Sequence, residues 1–396
     1  MTDTTSRRQL LGLSAALGAT AAFGGFIPAT GHASGARDPR LIVIILRGAL
    51  DGMNAVPPVG DADYAGLRQE LAIGRSDAIA LDSTFALHPS LVNFARQYKA
   101  GQATVIHACA SPYRDRSHFD GQDVLESGFT QPGQASGWLN RMLLTLPNAQ
   151  RVKPAGLSVG ATTPLVLRGQ AKVLGWEPDR FKPRDNDLAP RLLALYRQSD
   201  PLLANVLVEA IQTGRIASGG AMKGGDQSAE TMVTLAQGAA RLMAMPDGPR
   251  IAALSFDGWD THAAEASRLT KLLGGLDGAM AAFETTLGPV WNDTAIVAIT
   301  EFGRTAAVNG TEGTDHGTAT AAYLAGGAIK GGRVIADWPG LKSNQLYQNR
   351  DLMPTTDLRA VLKGLMADLY GVPPAALSGG IFPGSDMMAP MQGLIA

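Results

Sequence analysis

Six apolar residues run without interruption from Leu41 to Leu46 and end abruptly at Arg47-Gly48-Ala49-Leu50-Asp51-Gly52. The run is rich in β-branched types and has no polar alternation. That predicts a strand buried on both faces, as in a parallel sheet. Gly48 and Gly52 allow the backbone to turn tightly directly after it. Ligands of open α/β sheets bind at the carboxyl ends of strands. Asp51 is therefore the first candidate site residue, with a plain turn aspartate as the alternative reading at this point.

The pattern recurs along the chain. Residues 103–109, 251–256 and 294–300 predict further buried strands. Helical spacing of apolar residues marks 88–98, 118–127, 138–146, 190–211, 230–245, 263–287 and 356–366. Ser117 or Asp115 is placed to cap the second of these. Residues 159–167 read as strands, 332–338 as a short strand, and 319–324 as apolar but of open type. No internal repeat is found. Strand followed by helix throughout predicts an α/β sheet. The chain has 396 residues, 45% apolar and 17% charged, enough for a large core. Residues 38–396 read as one domain. Within it, 170–225 is a candidate insertion or lid, because it carries a Pro- and Asp-containing loop and the run Gly219–Gly225.

The first 33 residues read as a processing segment. Ser6-Arg7-Arg8-Gln9-Leu10-Leu11 is a twin-arginine signature, followed by a Gly- and Ala-rich apolar stretch to Ile27 and small residues up to Ala33. This predicts export by the twin-arginine translocase to the periplasm or beyond, cleavage after Ala33, and no membrane span thereafter. Net charge is -1 and Lys and Arg are not clustered, which argues against a nucleic-acid partner. The single cysteine, Cys109, excludes an internal disulfide and a cysteine-based metal cluster.

Polar residues gather where the strands end. These are Asp51; Arg114, Arg116, Ser117 and His118; Asp260 and His262; and Glu301, with Asp315 and His316 added from a loop. Carboxylate oxygens with imidazoles suit hard to borderline divalent cations. One or two such ions are expected: zinc, magnesium, manganese or calcium. Two ions about 4 Å apart could clamp both oxygens of a transferred phosphoryl group. A strand end meeting a helix start at Ser117 is also a natural anion site, since first-turn N–H groups are unpaired.

Five stretches resemble one family. They are Leu46–Asn54; Ser111-Pro112-Tyr113 with Arg116–Phe119; Gly258–His262; Glu301–Arg304; and Gly313–Gly317. The family is a bacterial group of exported proteins described as domain of unknown function 1501, and it in turn resembles the alkaline phosphatase and sulfatase superfamily. The resemblance implies an alkaline phosphatase-like three-layer sandwich with a central, mostly parallel sheet. It also implies a divalent metal centre and a hydroxyl nucleophile at a helix start. Position by position, it implies Asp51 as ligand of one metal and Ser117 as nucleophile. It implies Asp260 and His262 as the next ligand group, with Asp257 a rival for Asp260. Glu301 stands at a strand-end ligand position, and Asp315 and His316 as a late ligand pair.

The function expected is hydrolysis of phosphate esters, with either Ser117 or a metal-bound hydroxide attacking an anionic substrate. Arg114 or Arg116 would hold nonbridging oxygens. His118 reads equally as ligand, hydrogen-bond partner or packed helix residue. Glu301 reads as a ligand or as a residue orienting one, and Arg304 as a salt-bridge residue. Two alternatives stand beside this: an exported binding or assembly protein with a structural metal, and a sulfate ester hydrolase. Sulfatases take their nucleophile from a Cys-x-Pro-x-Arg type sequence. In Cys109-Ala110-Ser111-Pro112-Tyr113-Arg114 the proline and arginine are both out of step, so Cys109 reads as a small buried hydrophobe.

Overall fold

A computed structural model describes residues 37–146, 156–178, 192–193, 195–197, 200–218 and 229–396. The signal-peptide reading and parts of the 170–225 reading lie outside the described residues. Eleven strands are formed among the described residues: β1 (Arg40–Leu46), β2 (Ile79–Ala80), β3 (Ala86–Leu87), β4 (Ala103–Ala110), β5 (Gly156–Val159), β6 (Val173–Trp176), β7 (Ile251–Phe256), β8 (Thr294–Ile299), β9 (Thr320–Ala325), β10 (Arg333–Ile335) and β11 (Thr356–Asp357). β2 and β3 pair only with each other. The other nine make one sheet in the order β10-β4-β9-β8-β1-β7-β5-β6, with β11 beside the end of β4.

The sheet is mixed. β1 runs parallel to both neighbours, β7 and β8, and β9 alone is antiparallel to its neighbours β4 and β8. Every residue of β1 is buried, in keeping with its unbroken apolar run. Ile42, Ile44 and Leu46 enter one core, against helices Val92–Lys99, Ala229–Ala244 and Glu265–Leu287. Leu41, Val43 and Ile45 enter the other, against helices Trp138–Thr145 and Leu358–Tyr370. Each fully buried aliphatic side chain contributes about 1.5–3 kcal/mol of transfer free energy. A polar residue anywhere in Leu41–Leu46 would therefore fall into one of two dry layers. The result is the expected α/β sandwich, helices on both faces of a mostly parallel sheet.

Three local stretches take their detail from the structure. Of residues 159–167 only Val159 belongs to a strand, while Leu165–Leu167 form a 3₁₀ turn. Pro164 cannot donate to a ladder, and the Val166 N–H donates instead to Glu126 Oε2 at 3.0 Å. Over 190–211, residues 192–193 and 195–197 are helical as expected, and Pro201–Ser218 is a helix begun where Asp200 Oδ1 accepts from the N–H groups of Leu202 and Leu203 and Pro201 suits a first turn. The open-type stretch 319–324 is β9, the one reversed strand.

This topology sets the site. β1, β4, β7 and β8 all end at one edge of the sheet, and β9, being reversed, begins there. The loops after β1, β4 and β7 and the one that joins β8 to β9 therefore meet. Among the described residues no helix is long and apolar enough to cross a membrane.

Candidate metal centre

The loops meet closely because glycine lets them. Gly48, after β1, has φ +119°, and a Cβ there would lie 2.5 Å from the Asp260 backbone nitrogen. Gly313, in the loop before β9, would put a Cβ 2.4 Å from the backbone of His262. Only glycine fits either place. Asp260 and His262 are thereby pressed between the loop that follows β1 and the loop that delivers His316. His118 comes from the fourth side, as the first residue of helix His118–Ser127.

Their ring nitrogens converge. His316 Nε2 lies 2.9 Å from His118 Nε2 and 3.0 Å from His262 Nε2. Asp260 Oδ1 is 3.2 Å from His316 Nε2 and 3.0 Å from His262 Nε2, and Asp260 Oδ2 is 3.4 Å from His118 Nε2. Donor atoms of His118, Asp260 and His316 all lie within 4.8 Å of one another, a group fit to hold a divalent metal ion.

The opposite ring nitrogens are all engaged. His118 Nδ1 is 2.8 Å from Glu301 Oε1, His262 Nδ1 is 3.2 Å from Asp315 Oδ1, and His316 Nδ1 is 3.0 Å from the Arg116 carbonyl oxygen. A carboxylate or a carbonyl can only accept, so each Nδ1 carries a proton, and in the neutral ring Nε2 turns its lone pair inward; each Nε2 also meets an Asp260 oxygen, where a second proton sits when the ring is charged. Three lone pairs and a carboxylate facing one another repel unless a positive charge sits among them. The residues present fit a cation.

Without a cation the rings differ in their preference for a second proton. The Glu301 hydrogen bond raises the His118 pKa above its usual range, against the effect of burial. Burial lowers that of His316, and the neighbouring His118 lowers it further. Burial would raise the Asp260 carboxyl, but Arg304, whose Nη1 donates to Oδ1 at 2.7 Å, holds it below the usual carboxylate range. Asp260 is thus charged across the neutral range.

The remaining candidates stand elsewhere. Asp51 is buried outside the cluster. It caps the short helix Gly52–Ala55 by accepting from Met53 N–H, and both its oxygens accept from the fully buried Arg68, Oδ1 at 2.9 Å. Burial would raise its carboxyl, and the Arg68 guanidinium overrides this and lowers it. Glu301 is fully buried, with Oε1 accepting from Gly48 N–H, Gln122 and His118, and Oε2 from Thr300. Asp315 is held by Asn309 as well as His262. Arg116 is drawn to Asp351 and Gln348, and Arg114 to the carbonyls of Ser111 and Tyr113. Ser117 is half-buried at the N-cap of the His118–Ser127 helix. Its hydroxyl makes no capping bond, and its N–H donates to the Tyr113 hydroxyl at 3.2 Å. Cys109 is fully buried in β4, and burial pushes its thiol up to about 12.

Sequence reasoning did not single out Arg68 or Glu265. Both are fully buried, and the Thr314 hydroxyl joins Glu265 to Arg304, donating to Oε2 at 2.6 Å and accepting from Arg304 Nε at 3.3 Å. Arg68 lies in no motif. Glu265 opens a helix, where an acidic residue is commonplace, so neither carried a signal.

A half-exposed cation site at the carboxyl edge of an α/β sheet defines a metal-binding protein of the sandwich class. Residues 38–376 match the family described as "Protein of unknown function (DUF1501)", and the chain belongs to that family. No curated protein matches it. Among solved structures it is similar to Ps i-CgsB, at 15% identity over 88% of this chain and 76% of that one, with a TM-score of 0.42. It is similar to a 2-O GAG sulfatase at 10% identity, over 85% and 71% of the two chains, with a TM-score of 0.41. A protein of the alkaline phosphatase superfamily from Vibrio parahaemolyticus is similar at 11% identity, over 84% and 66%, with a TM-score of 0.34. The resemblance is one of architecture.

Proposed function

We propose that the chain is a hydrolase of anionic esters that works around one divalent cation held by His118, Asp260 and His316, with Ser117 as the attacking group. The observation that carries this is the uncommitted Ser117 hydroxyl, one residue before a ring whose Nε2 faces the donor cluster. A cation bound there supplies Lewis-acid polarisation of the ester and charge neutralisation. The chain's own groups supply position. Glu301 keeps the proton of His118 on Nδ1, and the Arg116 carbonyl does the same for His316. The unpaired first-turn N–H groups of the helix after Ser117 favour an anion beside its hydroxyl. Arg304 keeps Asp260 charged.

Phosphate esters are the substrates we assign first. Use of Cys109 as a modified nucleophile is disfavoured by its burial in β4, where Sγ faces the carbonyls of Ile106 and Thr320. Metal-loaded protein is expected to turn over nitrophenyl phosphate mono- or diesters, and Ser117→Ala to lose on the order of 10⁴-fold in kcat with its metal content intact. Turnover of nitrophenyl sulfate alone would move the assignment to sulfate esters. A fully loaded protein that hydrolyses neither would leave a metal-binding protein without catalysis. The engagement of Arg114 and Arg116 by other groups favours that second reading, since neither is free to clamp an anion.

A further inference from the structure

We infer that Asp351 is a positioning residue: its buried carboxylate ties the start of the Ser117 helix to the His316 loop and so fixes where the Ser117 hydroxyl stands. As a statement about catalysis this rests on Ser117 as the attacking group. As a statement about placement it does not.

Asp351 belongs to none of the strand-end motifs, yet its carboxylate is fully buried and filled with donors. Oδ2 accepts from Arg116 Nε at 2.9 Å, from Arg116 Nη2 at 2.7 Å and from Thr318 Oγ1 at 2.7 Å. Oδ1 accepts from Arg350 Nη1 at 3.0 Å. Both arginines also hold His316. The Arg116 carbonyl accepts from His316 Nδ1 at 3.0 Å, and Arg350 Nη1 donates to the His316 carbonyl at 2.9 Å. Arg116 is the residue before Ser117, and Thr318 lies two residues after His316. One carboxylate therefore joins two loops that are 200 positions apart in the chain.

The backbone on both sides of the tie adopts angles that side chains rarely take. Arg116 has φ +60°, Gln348 +54° and Asn349 +55°. Glycine takes such angles freely, whereas arginine and glutamine are strained by them. Gln348 and Asn349 form the bend of a turn closed by Tyr347 N–H to the Asp351 carbonyl at 2.8 Å and by Asp351 N–H to the Tyr347 carbonyl at 3.0 Å. The Gln348 side chain reaches across the gap, where Oε1 accepts from Arg116 Nη2 at 2.7 Å. Strained residues persist only where surrounding contacts over-determine them, and they gather at functional sites. Here those contacts converge on Asp351. The left-handed turn at Arg116 aims its carbonyl at His316 and leads into Ser117, which enters the helix N-cap extended, with φ -96° and ψ 125°. Without the carboxylate Arg116 loses its charged partner, and the segment before Ser117 relaxes. The two arginine side chains are 23% and 41% exposed, so water can take them up and the fold can survive the change.

The test is a double-mutant cycle of Asp351→Asn and Arg116→Gly, read at Ser117. Asparagine keeps the shape of the carboxylate but turns a donor toward the arginines. Glycine removes the Arg116 arm and accepts the left-handed angle. In metal-loaded protein Asp351→Asn is expected to lower kcat on nitrophenyl phosphate about 100-fold, the size of a roughly 1 Å misplacement, with KM within about threefold. In the Arg116→Gly background the same substitution is expected to lower it by less than about threefold, since the arm it acts through is gone. A second readout needs no turnover. The Ser117→Cys protein is alkylated with iodoacetamide at that position, Cys109 being fully buried. Adding Asp351→Asn is expected to change the alkylation rate at least about tenfold, and to leave it unchanged when Arg116→Gly is present. Equal effects of Asp351→Asn in the two backgrounds would overturn the inference. So would a lowered melting temperature with kcat and alkylation both unmoved. Alkylation that follows the cycle in a protein that hydrolyses nothing would uphold the placement while removing the hydrolase reading.

Discussion

Glu265→Gln should make this protein more stable at neutral pH, although it alters a fully buried side chain. Burial, and then the neighbouring Asp51 charge, push the Glu265 carboxyl up to about 9 from its ordinary 4.5. Between those values the folded chain holds a proton that the unfolded chain releases. Stability therefore falls as pH rises through that window, and Glu265 costs nothing below it. At pH 7 the cost is on the order of 3 kcal/mol, from about 1.4 kcal/mol per pH step above 4.5. A glutamine has the shape of the protonated acid. Its carbonyl can still accept from Thr314 Oγ1, its amide can donate toward Asp51, and it has no proton to lose. Denaturant unfolding of the metal-free protein at pH 5, 7 and 8.5 makes the comparison. Other titrating groups contribute equally to both proteins, so the difference isolates Glu265. The expected result is near-equal stability at pH 5 and a gap in favour of the variant that widens to several kcal/mol by pH 8.5. A gap that stays constant with pH, or a variant less stable at pH 7, would refute the reasoning.

Other perturbations test the same architecture. Arg68→Met leaves the buried Asp51 carboxylate unpaired and should cost about 3–5 kcal/mol in unfolding free energy, with the cation site spared if the fold survives. Glu301→Gln weakens the acceptor that holds His118 and should lower zinc affinity by about 10–100-fold in a chelator competition. Gly48→Ala puts a methyl 2.5 Å from the Asp260 nitrogen at a φ of +119°. It should displace Asp260 and reduce zinc affinity more than it reduces the melting temperature of the metal-free protein.

The scaffold was largely legible in the sequence because its signals are local. An unbroken apolar run such as Leu41–Leu46 has one cheap home, a strand covered on both sides, and Gly-flanked polar loops after such runs mark the edge where sites form. β9 was not legible in the same way. Ala319–Leu324 is small and apolar enough for either element, and its reversed direction is set by its pairing with β4 and β8 rather than by its own residues.

The site was legible as a set of residues but not as a set of roles, and the reason is physical. Asp51, Asp260, Glu301 and Asp315 look alike as letters, since each is a carboxylate at or near a strand end. What separates them is depth and the group each one meets. Glu301 is fully buried and has its oxygens filled by four donors, so it has nothing left to offer a cation and can only hold a ring. Asp51 is equally deep and meets a guanidinium carried by Arg68, seventeen residues on in a short helix with no motif to announce it. Asp260 is half-exposed, with Oδ1 meeting Arg304, His262 and His316 and Oδ2 facing His118. Depth and partner are long-range properties, fixed by which loops the sheet order brings together. A histidine carries its partner's identity in its tautomer, so the clearest statement of role comes from the rings. Where all three Nδ1 atoms face acceptors, the three Nε2 atoms are left to the space beside Asp260, and the carboxylates divide accordingly: Asp260 lines that space, Glu301 and Asp315 stand behind rings, and Asp51 is bound to Arg68.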